Sequence, residues 1–263
     1  MIENHLNHDS YLDQIRLRDG VDRCRDVLYQ VWRNNRRRTA ALLNDPEMTF
    51  PCLFILLPQI KSLRLYYLLN NRNRIAAGIV GQIVNARASG TDYLLYENRT
   101  VHSVLRWMLE TSGDEENLDD DFRQVLDIVV SVLINTYQDK NVLPNVDELI
   151  FRRHKAGRNI HNLVWSLFRI KDPDVLKLVA EHMRSSDPEE SEFACCLLNI
   201  KASKQTEENT DNQKLYEDYL RWFEENKPFL YFTGECFQSN SEPVVCRIDQ
   251  NKKAAFSQKE EMP

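Results

Sequence analysis

Glycine is scarce in this chain, 7 in 263 residues, beside 9 prolines. So few glycines leave no Gly-rich loop to cradle a phosphate and too few turns for a densely turned all-β fold. Paired cysteines are missing too. Cys24, Cys52, Cys195, Cys196, Cys236 and Cys246 contain no Cys-x-x-Cys spacing, which removes the usual signature of structural zinc. Long apolar runs are absent: the most apolar stretches, 53–57 and 75–84, are far too short to span a bilayer. Residues 1–18 are polar and hold no apolar core of a signal peptide. These absences predict a cytoplasmic protein with no membrane span, no metal and no cofactor, whose reduced thiols mostly fill core.

What is present is ordinary in amount and uneven in placement. Hydrophobic residues make up 42 % and charged residues 28 %, enough for one elongated domain or two smaller ones. The net charge is −6. Residues 1–110 hold 15 Lys+Arg against 11 Asp+Glu, and the remainder holds 19 against 29. The N-terminal part can therefore face an anionic partner although the whole chain is acidic.

Apolar spacing is helical nearly throughout. Residues 10–37 read as one long helix with Ile15, Val21, Cys24, Leu28, Val31 and Trp32 on one side. Pro58 should kink or split the helix that crosses 50–70. A helix over 72–88 carries Gly78 and Gly81, small enough to let a neighbouring helix approach, and another short helix covers 98–111. The acidic loop 111–120 leads into a helix with Phe122, Leu126, Val129, Leu133 and Tyr137 on one face, and Asp121 with Gln124 resembles a capping box.

Residues 157–200 read as three short amphipathic helices joined by two similar stops, Asp172-Pro173 and Asp187-Pro188. Each Asp can cap the next helix and each Pro can occupy its first turn. Residues 201–213 are a polar linker. A last helix follows, then two segments of strand composition, 229–237 and 244–248, able to pair across 239–243. The tail 257–263 should be disordered.

The Asp-Pro-started helices from Lys171 to Ile200 resemble HEAT-type helical repeats. The stretches HNLVWSLFRIKDP and YLRWFEENKPFLYFTGECFQ resemble a group of helical proteins from spore-forming bacteria. That resemblance implies an intracellular bacterial protein and brings no activity, cofactor or catalytic residue with it. The polar tail from Lys252 departs from the pattern, as in a shortened or divergent member. The fold expected is all-α, a HEAT-like helical repeat or helical bundle with a small C-terminal β-hairpin appendage. Its divisions are 1–110 (N-terminal helices with a basic helix), 111–200 (repeats), 201–213 (linker), 214–256 (helix plus hairpin) and 257–263 (tail).

Two basic runs are candidate anion-binding sites. Arg33, Arg36, Arg37 and Arg38 form the densest charge cluster and have no acid nearby in sequence. Guanidinium forks match phosphate and carboxylate oxygens. The plainer alternative is the C-terminal end of a helix, where the dipole favours cations. The second run is Arg152, Arg153, Lys155 and Arg158, with His154 among them; facing the first in space, it would make a stripe able to track a phosphate backbone. No aromatic interleaving marks a stacking platform. His5 with His8, His154 with His161, and His182 with Cys195 or Cys196 lack the ligand number that zinc needs. His102 beside Ser103 has no acid nearby, and no catalytic residue is assigned. Trp222, Phe223, Phe229, Tyr231, Phe232 and Phe237 are either core beneath the hairpin or an exposed partner anchor. The reading that follows is a non-catalytic scaffold or adaptor that binds another protein through a helical-repeat surface. The first alternative is a nucleic-acid or other polyanion binder acting through its arginines. The second is an enzyme whose dispersed site one sequence does not reveal.

Overall fold

A computed structural model describes residues 10–85, 93–94, 97–113, 118–200, 212–233 and 246–260. The protein is mostly helical, with one two-stranded antiparallel hairpin near the C-terminus. It divides into two compact units, Met1–Tyr137 and Gln138–Pro263. The division falls after the helix that the sequence analysis grouped with 111–200.

Unit 1 contains α1 (Tyr11–Asp19), α2 (Val21–Asn34), α3 (Arg36–Leu43), α4 (Phe50–Ser62), α5 (Asn71–Asn85), α6 (Arg99–Glu110) and α7 (Asp120–Asn135). The single helix expected over 10–37 is therefore three. Gly20 separates the first two with φ near 90°, a conformation that glycine adopts without a Cβ penalty. Asn35 separates the next two in an extended conformation: its N–H donates to Val31 O at 2.8 Å, and its side chain accepts from Arg38 N at 3.0 Å. One residue thus ends α2 and caps α3.

Pro58 does not split α4, which runs through it and carries Pro51 in its first turn, where no donor is required. Thr49 caps α4, and the fully buried Asp13 accepts hydrogen bonds from both the Thr49 N–H, at 3.0 Å, and the Thr49 hydroxyl. This ties the start of α4 to α1. The cap of α7 is Asp119, not Asp121: Asp119 Oδ1 accepts from Phe122 N at 3.0 Å. Gly78 does not admit a helix but the ring of Tyr93, since a Cβ there would lie 2.5 Å from Tyr93 Cε2.

An aromatic cluster forms the centre of unit 1. Phe122 of α7 stacks on Phe50 at 5.3 Å and meets Phe54 edge-on at 5.1 Å; both partners belong to α4. Trp107 of α6 meets Phe50 edge-on at 6.1 Å. Such pairs combine large apolar burial with favourable ring geometry.

Unit 2 contains α8 (Leu143–Lys155), α9 (His161–Arg169), α10 (Asp174–Glu181), α11 (Pro188–Leu197), α12 (Asn212–Asn226), β1 (Leu230–Phe232), β2 (Cys246–Ile248) and α13 (Gln250–Glu260). Gly157, with φ 63°, follows the end of α8. Asp187 caps α11 with Pro188 in its first turn, as expected, and Asp187 Oδ1 accepts from Glu189 N; at α10 Pro173 itself takes the cap position, and Asp172 Oδ1, one residue earlier, accepts from Asp174 N. Helix α8 packs against α9, α10 and α11. The core comprises Leu163, Leu167, Phe168, Val175, Val179, Met183 and Phe223, all essentially excluded from solvent.

The strands are shorter than their apolar segments, three residues each, paired Leu230 with Ile248, Tyr231 with Arg247 and Phe232 with Cys246. Helix α13 reaches Glu260, into the tail that the sequence analysis left without structure; Asp249 Oδ1 accepts from Lys252 N in its first turn. The connecting turn 239–243, Cys236, Phe237, most of the polar linker and His5 with His8 lie outside the described residues.

Phe122→Ala should destabilise unit 1 by about 3–5 kcal/mol, because it removes a fully buried ring and leaves a cavity beside Phe50. Urea unfolding followed by tryptophan fluorescence checks this, and an unchanged midpoint would show that the cluster is not core.

Candidate functional site

The strongest charge feature sits at the junction of α2 and α3. The break at Asn35 moves Arg36, Arg37 and Arg38 from the expected helix C-terminus to the first turn of α3. There the N-terminal dipole is positive, so the plainer explanation of the cluster is reversed in sign. The first turn of α3 contains no acid. All three side chains are exposed, and among the described residues none makes a hydrogen bond, ion pair or ring contact. Arg33, also exposed, lies over the Tyr29 ring at 6.0 Å.

Other arginines of unit 1 are used by the fold itself. Arg25 Nε donates to Ile55 O at 2.9 Å. Arg72 donates to the carbonyls of Asp45 and Pro46 and stacks on Trp107 at 4.3 Å. Arg106 pairs with Glu110 at 2.9 Å. Arg18 pairs with Asp19 at 2.7 Å. Arg36, Arg37 and Arg38 have no such internal use and stand consecutively at one helix start.

The second basic run falls in unit 2 and is largely spent. Arg153 is 2 % exposed and among the largest buried side chains. Lys155 Nζ meets Asp187 Oδ2 at 2.7 Å, which raises the pKa of the lysine and lowers that of the aspartate through the hydrogen bond they share. Neither Arg152 nor Arg158 is free. Of this run, Arg153 is buried and Lys155 already faces an acid.

A cleft of about 530 Å³ opens in unit 1 between α2, α4, α5 and the start of α7. Phe54, Leu57, Pro58 and Val80 are among its apolar walls, and Arg25, Lys61, Asp119 and Asp121 add charge. Gly81 lines it, and a Cβ there would meet no atom of the described residues within 4 Å.

In unit 2 a smaller cavity, about 280 Å³, surrounds His182. The His182 ring stacks flat on Phe151, with centroids 3.5 Å apart and planes 8° apart. Its Nε2 meets Asp147 Oδ2 at 2.9 Å and its Nδ1 meets Glu190 Oε1 at 2.6 Å. Ser185 donates to Glu190 Oε2 at 2.7 Å. The imidazole therefore ties α8 to α11 from the short turn after α10. The cysteines considered as partners of His182 do not contact it; the two acids do. Asp147 Oδ1 is buried without a hydrogen-bond partner.

Both ring nitrogens face carboxylate oxygens, and a neutral imidazole has only one N–H to give. The contacts are complete when the ring is doubly protonated, or when a protonated Asp147 donates to Nε2 of the neutral ring. Burial alone would lower the His182 pKa, but the hydrogen bond and charge of Asp147, then those of Glu190, raise it overall. Burial pushes the Asp147 carboxyl up despite His182. Burial also pushes Glu190 up, but the hydrogen bonds from His182 and Ser185 prevail and hold it low.

Chemically, the arrangement can hold a proton between the imidazole and its carboxyl neighbours. Among the described residues no group of three or more His, Cys, Asp or Glu side chains is placed to hold a metal ion. His102 stacks on Tyr137 at 4.5 Å. Of the aromatic cluster, Phe223 and Phe229 are buried, whereas Trp222 and Tyr231 are exposed. No helix among the described residues is long and apolar enough to cross a membrane. No protein-family model, curated protein or solved structure matches the chain.

The sign of the pH effect follows from these directions. A raised folded pKa at His182 gives stability that is full below its ordinary value of 6.5 and lost as pH rises through the higher folded value. Asp147, also raised, acts with the same sign but in a lower window: its contribution is full below its ordinary 3.8 and lost as pH rises through its folded value. Glu190, lowered, contributes above its ordinary 4.5 and loses that contribution as pH falls through its folded value. Thermal unfolding should therefore show unit 2 most stable in mildly acidic solution and weakening above about pH 6.5. His182→Gln should flatten the alkaline decline, and an identical decline in both proteins would remove His182 as its cause.

Proposed function

We propose that this is a non-catalytic binding protein that holds a polyanion at the corner between α2 and α3. The observation that carries this reading is the placement of Arg36, Arg37 and Arg38 in the first turn of α3 with no partner among the described residues. Three cations at the positive end of a helix repel the dipole and one another. An external anion removes that penalty, and the guanidinium forks supply its ligands. The acidic remainder of the chain does not oppose this, because screening confines the interaction to about 10 Å at ordinary salt.

A scaffold reading also has support. The unit 1 cleft falls within the roughly 300–1,000 Å³ of ordinary binding pockets, and its walls suit apolar side chains of a protein segment. The helical-repeat reading of 157–200 belongs to the same proposal, with the Asp-Pro starts of α10 and α11 as its basis.

Fluorescence polarisation against labelled nucleic acid across a salt series tests the polyanion reading. Four arginine–phosphate contacts predict a log–log slope of about −3 on a single strand. Arg36→Glu/Arg37→Glu should weaken binding at least about tenfold and roughly halve the slope. The same variant should melt at an equal or slightly higher temperature, because acids suit the first turn of a helix. Equal affinity of wild type and variant would refute the reading.

A further inference from the structure

Immediately before the arginines, α2 presents two aromatic rings on one face. Tyr29 and Trp32 are three residues apart, with ring centroids 5.7 Å apart and planes tilted by 39°. Tyr29 is 41 % exposed, and Trp32 is half-buried. Arg33 extends over Tyr29, and the chain then turns at Asn35 into Arg36, Arg37 and Arg38. By spacing alone Trp32 falls on the apolar side of a long helix. In the structure, the buried side of α2 consists of Cys24, Val27 and Leu28, and Tyr29 lies outside it.

We infer that the α2–α3 corner is a single-stranded nucleic-acid site, in which Tyr29 and Trp32 take unpaired bases while Arg33, Arg36, Arg37 and Arg38 take the backbone phosphates. This rests on the polyanion reading above and gives its ligand a chemical class. A phosphate chain alone needs only the guanidinium groups. An exposed aromatic pair beside them adds a surface that only a flat, unpaired base can use. In a duplex the base faces are stacked on each other and only edges and phosphates are offered. Arg33 contributes twice: its guanidinium supports the Tyr29 ring by a cation–π contact and presents its remaining donors to phosphate. The acids of α2, Asp22 and Asp26, lie in its N-terminal half, so the strand is directed toward the Asn35 end.

The test uses the full chain and a labelled single-stranded oligonucleotide of about 20 nucleotides, as DNA and as RNA, with the matching duplex and inorganic polyphosphate as competitors. Wild type should bind the single strand more tightly than the duplex, with Trp32 fluorescence perturbed. Tyr29→Ala, an exposed change that leaves the core intact, should weaken single-strand binding roughly tenfold, leaving competition by polyphosphate unaltered. Tyr29→Phe keeps the ring and should restore the affinity, which a loss of local structure would not allow. Arg36→Glu/Arg37→Glu should weaken both kinds of binding at least about tenfold. If Tyr29→Ala binds the single strand as wild type does, or duplex and polyphosphate bind as well as the single strand, the base-stacking site is overturned and the polyanion reading stands. If wild type binds none of the probes at low salt, both fall together.

Discussion

Short helices leave a large share of their backbone groups unpaired, because the first four N–H and last four C=O groups of each have no partner within the helix. With thirteen α-helices among the described residues, none longer than the 16 residues of α7, that constraint governs this protein. Side chains that cap helix starts are also the ones that connect elements. Thr49 caps α4 and is itself held by the buried Asp13 of α1. Asp187 serves α11 through one oxygen and Lys155 of α8 through the other. Asn35 closes α2 and opens α3. Each cap therefore fixes where a neighbouring charge is presented, and the functional proposals depend on that placement.

The helical class and the Asp-Pro starts were legible in the sequence because both are local. Apolar spacing reports one face, and an Asp before a Pro reports a helix start. The breaks within 10–37 were less legible. Gly20 interrupts a pattern that stays helical on either side, and Asn35 is one residue in a polar run where apolar spacing carries no information. Pro58 does not divide α4, which continues through it to Ser62. Capping was assigned to Asp121 because Gln124 follows at box spacing, but the chain reaches the helix two residues earlier.

The sites divide along the same line. Arg36, Arg37 and Arg38 were visible as composition, yet their electrostatic meaning depends on which end of a helix they occupy, and that changed sign with one break. The burial of Arg153 follows from tertiary packing, and nothing in its basic neighbours announces it. His182 was noted for its cysteine neighbours, whereas its partners, Asp147 and Glu190, stand 35 and 8 residues away on separate helices. Only an unusually placed Asp inside the apolar face of α8 could have signalled the pairing. Trp32 falls on the apolar side by its spacing, although the buried side of α2 is Cys24, Val27 and Leu28.

The first turn of α3 also has a consequence for local motion. A helix of eight residues is marginal by itself and depends on packing for its order. Here its opening turn carries cations on exposed side chains, leaving Thr39 and Leu43 as the residues that anchor it in the interior. Such a segment belongs at the low end of the opening free energies within its unit. An anion seated on it would complete the turn as well as occupy it, so order in α3 and occupancy of the corner are thermodynamically linked.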